Sequence, residues 1–223
     1  MKKIFLFALS VLFFGTVANA KGNGAEGDAK TPNGVEAVDL GLSVKWANMN
    51  VGANKASGFG SYFAWGEIKP KDYYSWDTYV WSKGNTQFLV KYSVADRKIQ
   101  LAPSDDAAHA NWGGDWRMPT WEECNELLEN TTNTWTTQNE VYGRLFTASN
   151  GATLFLPAAG YRWRWGDELN DAGSYGYYWS SSLRTDCPED AWLLGFYSGG
   201  CGMCDLLRGC GRSVRAVLPA SQN

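Results

Sequence analysis

Apolar and polar residues alternate over short stretches of this chain, and one stretch alone keeps a helical period. Val35 to Leu40 and Leu42 to Trp46 alternate as two strands, with Gly41 at the turn between them. Ser61 to Trp65, Thr153 to Tyr161, Tyr177 to Ser182, Trp192 to Ser198 and Arg212 to Leu218 are further strand candidates. Within the fourth of these, Trp192, Leu194, Phe196 and Ser198 fall at every second position, the period of a strand with one buried face. A helix is expected from about Trp121 to Glu129, where Thr120 and Glu123 make a capping box and Trp121, Cys124, Leu127 and Leu128 share one face. That placement makes Cys124 a small core residue and Glu122 and Glu123 favourable charges at the helix N-terminus. Tyr73 to Ser104 has no clear period and reads as long loops. One helix among six or seven short strands points to an α+β fold with mainly antiparallel pairing.

The N-terminus carries an address. Lys2 and Lys3 precede an apolar run from Ile4 to Phe14, and Ala18-Asn19-Ala20 supplies the small residues of a cleavage site. Residues 1–20 therefore read as a secretory signal peptide, too short in its apolar run to span a bilayer. Residues 21–34 read as a flexible leader, 35–218 as one domain and 219–223 as a tail. The expected location is the periplasm, the cell surface or outside the cell. Cleavage removes two lysines and no acids, which takes the formal charge from −3 to −5. Mild acidity argues against nucleic acid as a partner, because phosphate binding needs a basic face. No other segment is apolar enough to expect a transmembrane helix.

Twelve Trp, eleven Tyr and ten Phe are a heavy aromatic load, and Tyr and Trp serve as contact residues as well as core. Five Cys in an exported chain raise the question of disulfides, and Cys187, Cys201, Cys204 and Cys210 allow three pairings among themselves. Cys201 and Cys204 have the spacing of a zinc or redox pair, but a zinc site needs four ligands and the one His is the distant His109. No metal and no cofactor is expected. Asp105, Asp106, Asp186, Glu189 and Asp190 read as solvated loop charge. The residues between the framework positions of the C-terminal stretch are different in kind. Leu193, Gly195, Tyr197, Gly199, Gly200, Gly202 and Cys204 answer to no folding rule, since Gly weakens strands and exposed Leu or free Cys is normally avoided. Local rules broken without visible gain often mark a functional surface.

Five separated motifs carry a family resemblance. They are Val38-Asp39-Leu40-Gly41-Leu42-Ser43-Val44-Lys45-Trp46-Ala47, the run Trp112 to Glu123, Phe155 to Arg162, Tyr178 to Ser182, and Ser213 to Val217. In this order they resemble the Fibrobacter succinogenes major paralogous domain family of gut Bacteroidales, which implies a C-type-lectin-like fold over residues 35–218. A narrower resemblance is to the variable target proteins of diversity-generating retroelements. It implies a fixed framework including Trp192, Leu194, Phe196, Ser198, Met203, Arg208, Gly211, Ser213, Val214 and Arg215, and diversified positions between. The contact residues so implied are Arg184, Asp186, Leu193, Gly195, Tyr197, Gly199, Gly200, Gly202, Cys204, Asp205, Leu206, Leu207, Gly209 and Cys210. Trp179, Trp192 and Phe196 would support them. The resemblance implies an exported, non-catalytic binding module whose ligand is a protein or glycan on another cell, a phage or a host surface. Two alternatives stand beside it: a structural or fimbria-associated surface component, and an enzyme like the formylglycine-generating enzymes, whose fold is related. The Glu-Pro-Asn, Gln-Pro-Asp and Trp-Asn-Asp segments of calcium-dependent lectins do not occur.

Overall fold

The computed structural model describes residues 31–85, 88–93, 95–164 and 169–220. The expected signal peptide, residues 21–30 of the leader and residues 221–223 of the tail lie outside them. The named elements are, in chain order, β1 (Ala37–Val38), β2 (Val44–Ala47), α1 (Ala107–Trp112), α2 (Trp121–Asn130), β3 (Thr131–Gln138), β4 (Val141–Ala148), β5 (Thr153–Pro157), β6 (Tyr175–Leu183), β7 (Asp190–Tyr197), β8 (Gly200–Leu207) and β9 (Val217–Pro219). The strands form three small antiparallel sheets ordered β1-β2-β9, β3-β4-β5 and β6-β7-β8. With two helices beside them, this is an α+β arrangement.

Helix α2 forms where its residues demand. Thr120 Oγ1 accepts the Glu123 N–H at 3.2 Å and Glu123 Oε2 accepts the Thr120 N–H at 2.8 Å, which satisfies two otherwise orphaned donors. Arg117 clamps the same Glu123 carboxylate with two hydrogen bonds, of 2.5 and 2.7 Å. Cys124 and Leu127 are buried beneath the helix.

Other elements differ from the sequence expectation. The hairpin β3–β4 is new: its polar Thr-rich strand carries no clean alternation, yet Asn139 and Glu140 at φ of 50° and 65° make the tight turn that right-twisted strands prefer. Ser61 to Trp65 joins no named sheet; it makes one β-bridge, Phe63 to Arg212, with the Ser61 and Trp65 N–H groups donating to the Val51 and Arg208 carbonyls at 2.8 Å each. Helix α1, which no sequence pattern announced, forms just after the aperiodic Tyr73 to Ser104 region because Asp106 caps it. Its Oδ1 accepts from the Ala108 and His109 N–H groups at 2.9 and 3.0 Å, and its Oδ2 from the Met118 N–H at 2.8 Å. Asp106 and its neighbour Asp105 are therefore buried structural groups and not solvated loop charge. Asp105 receives the Tyr92 hydroxyl and the Lys91 ammonium.

The sheet β6-β7-β8 lies at the centre, with a core against each face. Tyr178, Leu194 and Phe196 point to one face and pack with Trp46, Leu127, Phe146 and Leu156 from β2, α2, β4 and β5. Trp179, Leu183, Ala191 and Leu193 point to the other and pack with Phe63, Trp65, Trp112 and Val214. Trp179 Nε1 donates to the Phe63 carbonyl at 2.9 Å and Trp65 Nε1 to the Ser180 carbonyl at 2.8 Å, which ties this cover to the sheet. The expectation of one buried face in β7 is thus corrected. The strand is covered on both sides, and Leu193, expected at the surface, is 0 % exposed.

Candidate ligand-binding face

Register places the predicted residues. Leu193 opposes Cys204, Gly195 opposes Gly202, Tyr197 opposes Gly200 and Ala191 opposes Leu206, so these side chains share one face. On β6 the same face carries Tyr175, Tyr177 and Trp179, opposite Tyr197, Gly195 and Leu193. The core covers only half of it. Beyond Leu193 the face opens, and Tyr175 and Tyr197 are 38 % and 47 % exposed. Tyr175 stacks on Tyr197 at 5.6 Å and on Tyr177 at 5.9 Å, and Tyr161 meets the edge of Tyr177 at 5.7 Å. The rings form a ladder in offset and edge geometries that aromatic pairs favour. Beside them Gly195, Gly200 and Gly202 leave a bare backbone floor. A Cβ at Gly202 would meet nothing within 4 Å, whereas one at Gly195 would fall 2.8 Å from the Cys204 thiol and 3.6 Å from Leu193 Cδ1.

Two hollows follow from this arrangement. The first, of about 440 Å³, is lined by Tyr175, Tyr177, Gly195, Tyr197, Gly202 and Cys204 among others. The second, of about 290 Å³, is lined by Tyr161, Trp163, Asp171, Tyr177, Leu206, Leu207, Cys210 and Arg212. Tyr177 belongs to both, so they form one aromatic trough along the sheet. The Tyr177 phenol is pushed up to about 12 by burial and by the neighbouring Asp171 carboxylate.

Six of the predicted positions, Gly195, Tyr197, Gly200, Gly202, Cys204 and Leu206, therefore share the face that this trough occupies. Gly199 sits in the exposed β7–β8 turn, Leu207 is exposed at the end of β8, and Gly209 and Cys210 are buried just beyond it. Arg184, Asp186 and Asp205 are drawn elsewhere. Asp205 opposes Trp192 on the other face, where Arg184 pairs with Asp205 and, at 3.1 Å, with Asp186. That ion pairing holds the Asp186 carboxyl below its ordinary value. Residues that the sequence reading missed are Tyr161, Trp163, Asp171, Tyr175, Tyr177 and Arg212. Tyr175 carried a legible signal, since it stands two residues from Tyr177 on an alternating strand.

The cysteines stand apart from one another. Among the described residues all five are free, and no three metal-capable side chains come together. Cys201 and Cys204 lie on opposite faces of β8, because residues three apart in a strand diverge. The Cys201 thiol donates to Asn133 Oδ1 at 3.2 Å, while Cys204 faces the trough. Burial pushes the Cys201, Cys204 and Cys210 thiols up, with Arg144 opposing the effect at the first and Arg212 at the other two. None is held as a ready thiolate.

Residues 129–217 match the model of a family described as a domain of unknown function, DUF8237. The matched span runs from the end of α2 to the start of β9 and contains every residue that lines the two hollows. No curated protein and no solved structure matches the chain.

Proposed function

We propose that this chain is an exported, non-catalytic binding module of the C-type-lectin-like kind, which recognises its ligand with the open half of the β6-β7-β8 sheet. The observation that carries the reading is the coexistence, on the same three strands, of a buried half and an aromatic trough with a glycine floor. Fixed backbone under exposed Tyr and Gly is the combination that recognition surfaces use, because Tyr offers contact area at low entropic cost and Gly adds no steric demand. Retroelement diversification fits the same half. Tyr197, Gly200 and Gly202 stand where side chains can change without opening the core, Gly195 is limited by the Cys204 thiol, Cys204 and Leu206 pack at the edge of the core, and Leu193 drops out of the set. A ligand on another cell, a phage or a host surface suits a module that is exported.

The test is a panel of immobilised glycans and surface proteins probed with the purified mature chain and with a Tyr175→Ala/Tyr197→Ala variant. The reading requires saturable binding to at least one member, lost in the variant at unchanged melting temperature. Binding that survives the double substitution would place the contact elsewhere on the molecule. The diversification claim has its own test: the gene's surroundings must hold a reverse transcriptase and a near-copy of the segment that encodes residues 193–210.

A further inference from the structure

Three arginines of the C-terminal segment are buried, and they are served very differently. Arg215 is engaged at all three nitrogens: its Nε donates to Asn50 Oδ1 at 2.9 Å and its two terminal nitrogens to the Ala47 and Phe155 carbonyls at 2.9 and 3.0 Å. Arg208 donates to the Tyr92 and Lys91 carbonyls at 2.8 and 2.9 Å, while its buried Nε has no partner. Arg212 has one carbonyl, that of Leu207 at 2.8 Å, and the weakly accepting Cys210 thiol beside it, and its buried Nε likewise has no partner. It is 3 % exposed, and among the described residues no carboxylate pairs with it. Three rings surround its guanidinium, Trp179 at 4.6 Å and Tyr161 and Tyr177 at 5.8 Å each. A buried cation with so few acceptors is costly unless something else supplies them. Arg212 also forms part of the wall of the 290 Å³ hollow.

That hollow holds three kinds of chemistry together. Arg212 offers a planar fork of donors, which suits a carboxylate. Asp171, at the exposed rim, is an acceptor that would repel a bare anion but would take hydroxyl protons; it already accepts from the Tyr177 hydroxyl at 3.4 Å. Tyr161, Trp163 and Tyr177 offer apolar ring faces. An acidic peptide side chain meets the first demand and leaves Asp171 facing another acceptor. A sugar acid meets all three, with its carboxylate for Arg212, its hydroxyls for Asp171 and its C–H faces for the rings. We infer that the hollow under Tyr161, Trp163 and Tyr177 is a subsite for a carboxylate-bearing sugar residue, a hexuronic acid or a chemically similar one, with Arg212 as the carboxylate anchor. The inference rests on the binding-module reading and adds a ligand class to it.

Isothermal titration of the mature chain with methyl glucuronide, methyl glucoside and a short acidic peptide tests it. The uronide binds saturably, and the glucoside, which lacks the charge, binds about tenfold more weakly or worse, the size expected for a lost charge-assisted hydrogen bond. Arg212→Gln abolishes the preference between the two sugars. Because that side chain is buried, Asp171→Asn at the exposed rim serves as the second variant, and it weakens uronide binding several-fold at unchanged melting temperature. Equal affinity for the two sugars, tighter binding of the peptide, an Asp171→Asn chain with unchanged uronide affinity, or no uronide binding at all would each overturn the assignment. If Tyr175 and Tyr197 prove necessary for some other ligand while the uronide fails, the module stands and the sugar-acid subsite falls.

Discussion

The two halves of one sheet face behave as two different materials. Trp179, Ala191 and Leu193 occupy the same strands, in the same ladder, as Tyr175, Tyr177, Gly195 and Tyr197. The first group lies under Phe63, Trp65 and Val214 and is sealed. The second is only partly covered: Tyr177 packs at the edge of that core, while Tyr175 and Tyr197 stay at the surface. Hydrogen bonding is shared, so the difference lies in what the rest of the chain lays over each half. Rigidity in the open half is inherited through the strands from the sealed half and from the opposite face, where Phe196 and Met203 are packed.

The comparison can be broken by substitution. Leu193→Ala should cost about 2–5 kcal/mol in denaturant unfolding, since it opens a cavity in a closed core. A loss below about 1 kcal/mol would mean that the sealed half is not sealed. Gly176→Ala should cost about 1–3 kcal/mol, because a Cβ there would fall 2.1 Å from the Phe196 ring. Tyr197→Ala should change stability by less than about 1 kcal/mol, as a half-exposed ring outside the core does, while removing binding. Gly202→Ala should be within about 0.5 kcal/mol of the parent, for a Cβ there meets open space. If the two glycine variants cost the same, the two faces do not differ in cover.

A smaller effect sharpens the picture in alkali. The Tyr177 phenol is raised to about 12 in the folded chain from its ordinary value of 10.0. The folded state therefore holds this proton more tightly than the unfolded state does. Its contribution to stability is complete below about pH 10 and is lost as pH rises towards 12. Tyr177→Phe should reduce the fall in melting temperature over that window, and a variant that loses as much as the parent would show that the ring is not confined.

The parts of the fold that were legible are those settled by neighbours in sequence. The α2 capping box needs only Thr120 and Glu123, and the burial of Cys124 follows from the period of that helix. The strands β2, β5, β6 and β7 were readable from apolar alternation, to within a few residues at their ends. A further signal lay in the run Ala191-Trp192-Leu193-Leu194, continuous where a strand open to water on one side would alternate, which is how a doubly covered strand reads. Strand β8 was hidden, because Gly200-Cys201-Gly202-Met203-Cys204 has neither β-propensity nor contrast between its faces. Hairpin β3–β4 was hidden by its threonines, and α1 by an aspartate cap buried among residues far away in the chain.

By itself the sequence determined the α+β class, the position of the long helix and the concentration of Tyr, Gly and Cys in the C-terminal strands. Tertiary structure decided which of those residues face water. Leu193 and Tyr197 stand four positions apart on one face of one strand, and only the arrival of Phe63, Trp65 and Val214 over the first makes it core. It decided equally that Arg215 is bonded at all three nitrogens while Arg212 stands at the wall of a hollow. The physical reason is range: capping and periodicity depend on residues within a few positions, whereas burial depends on segments that folding brings in from elsewhere in the chain, as it brings Phe63 and Trp65 over Leu193.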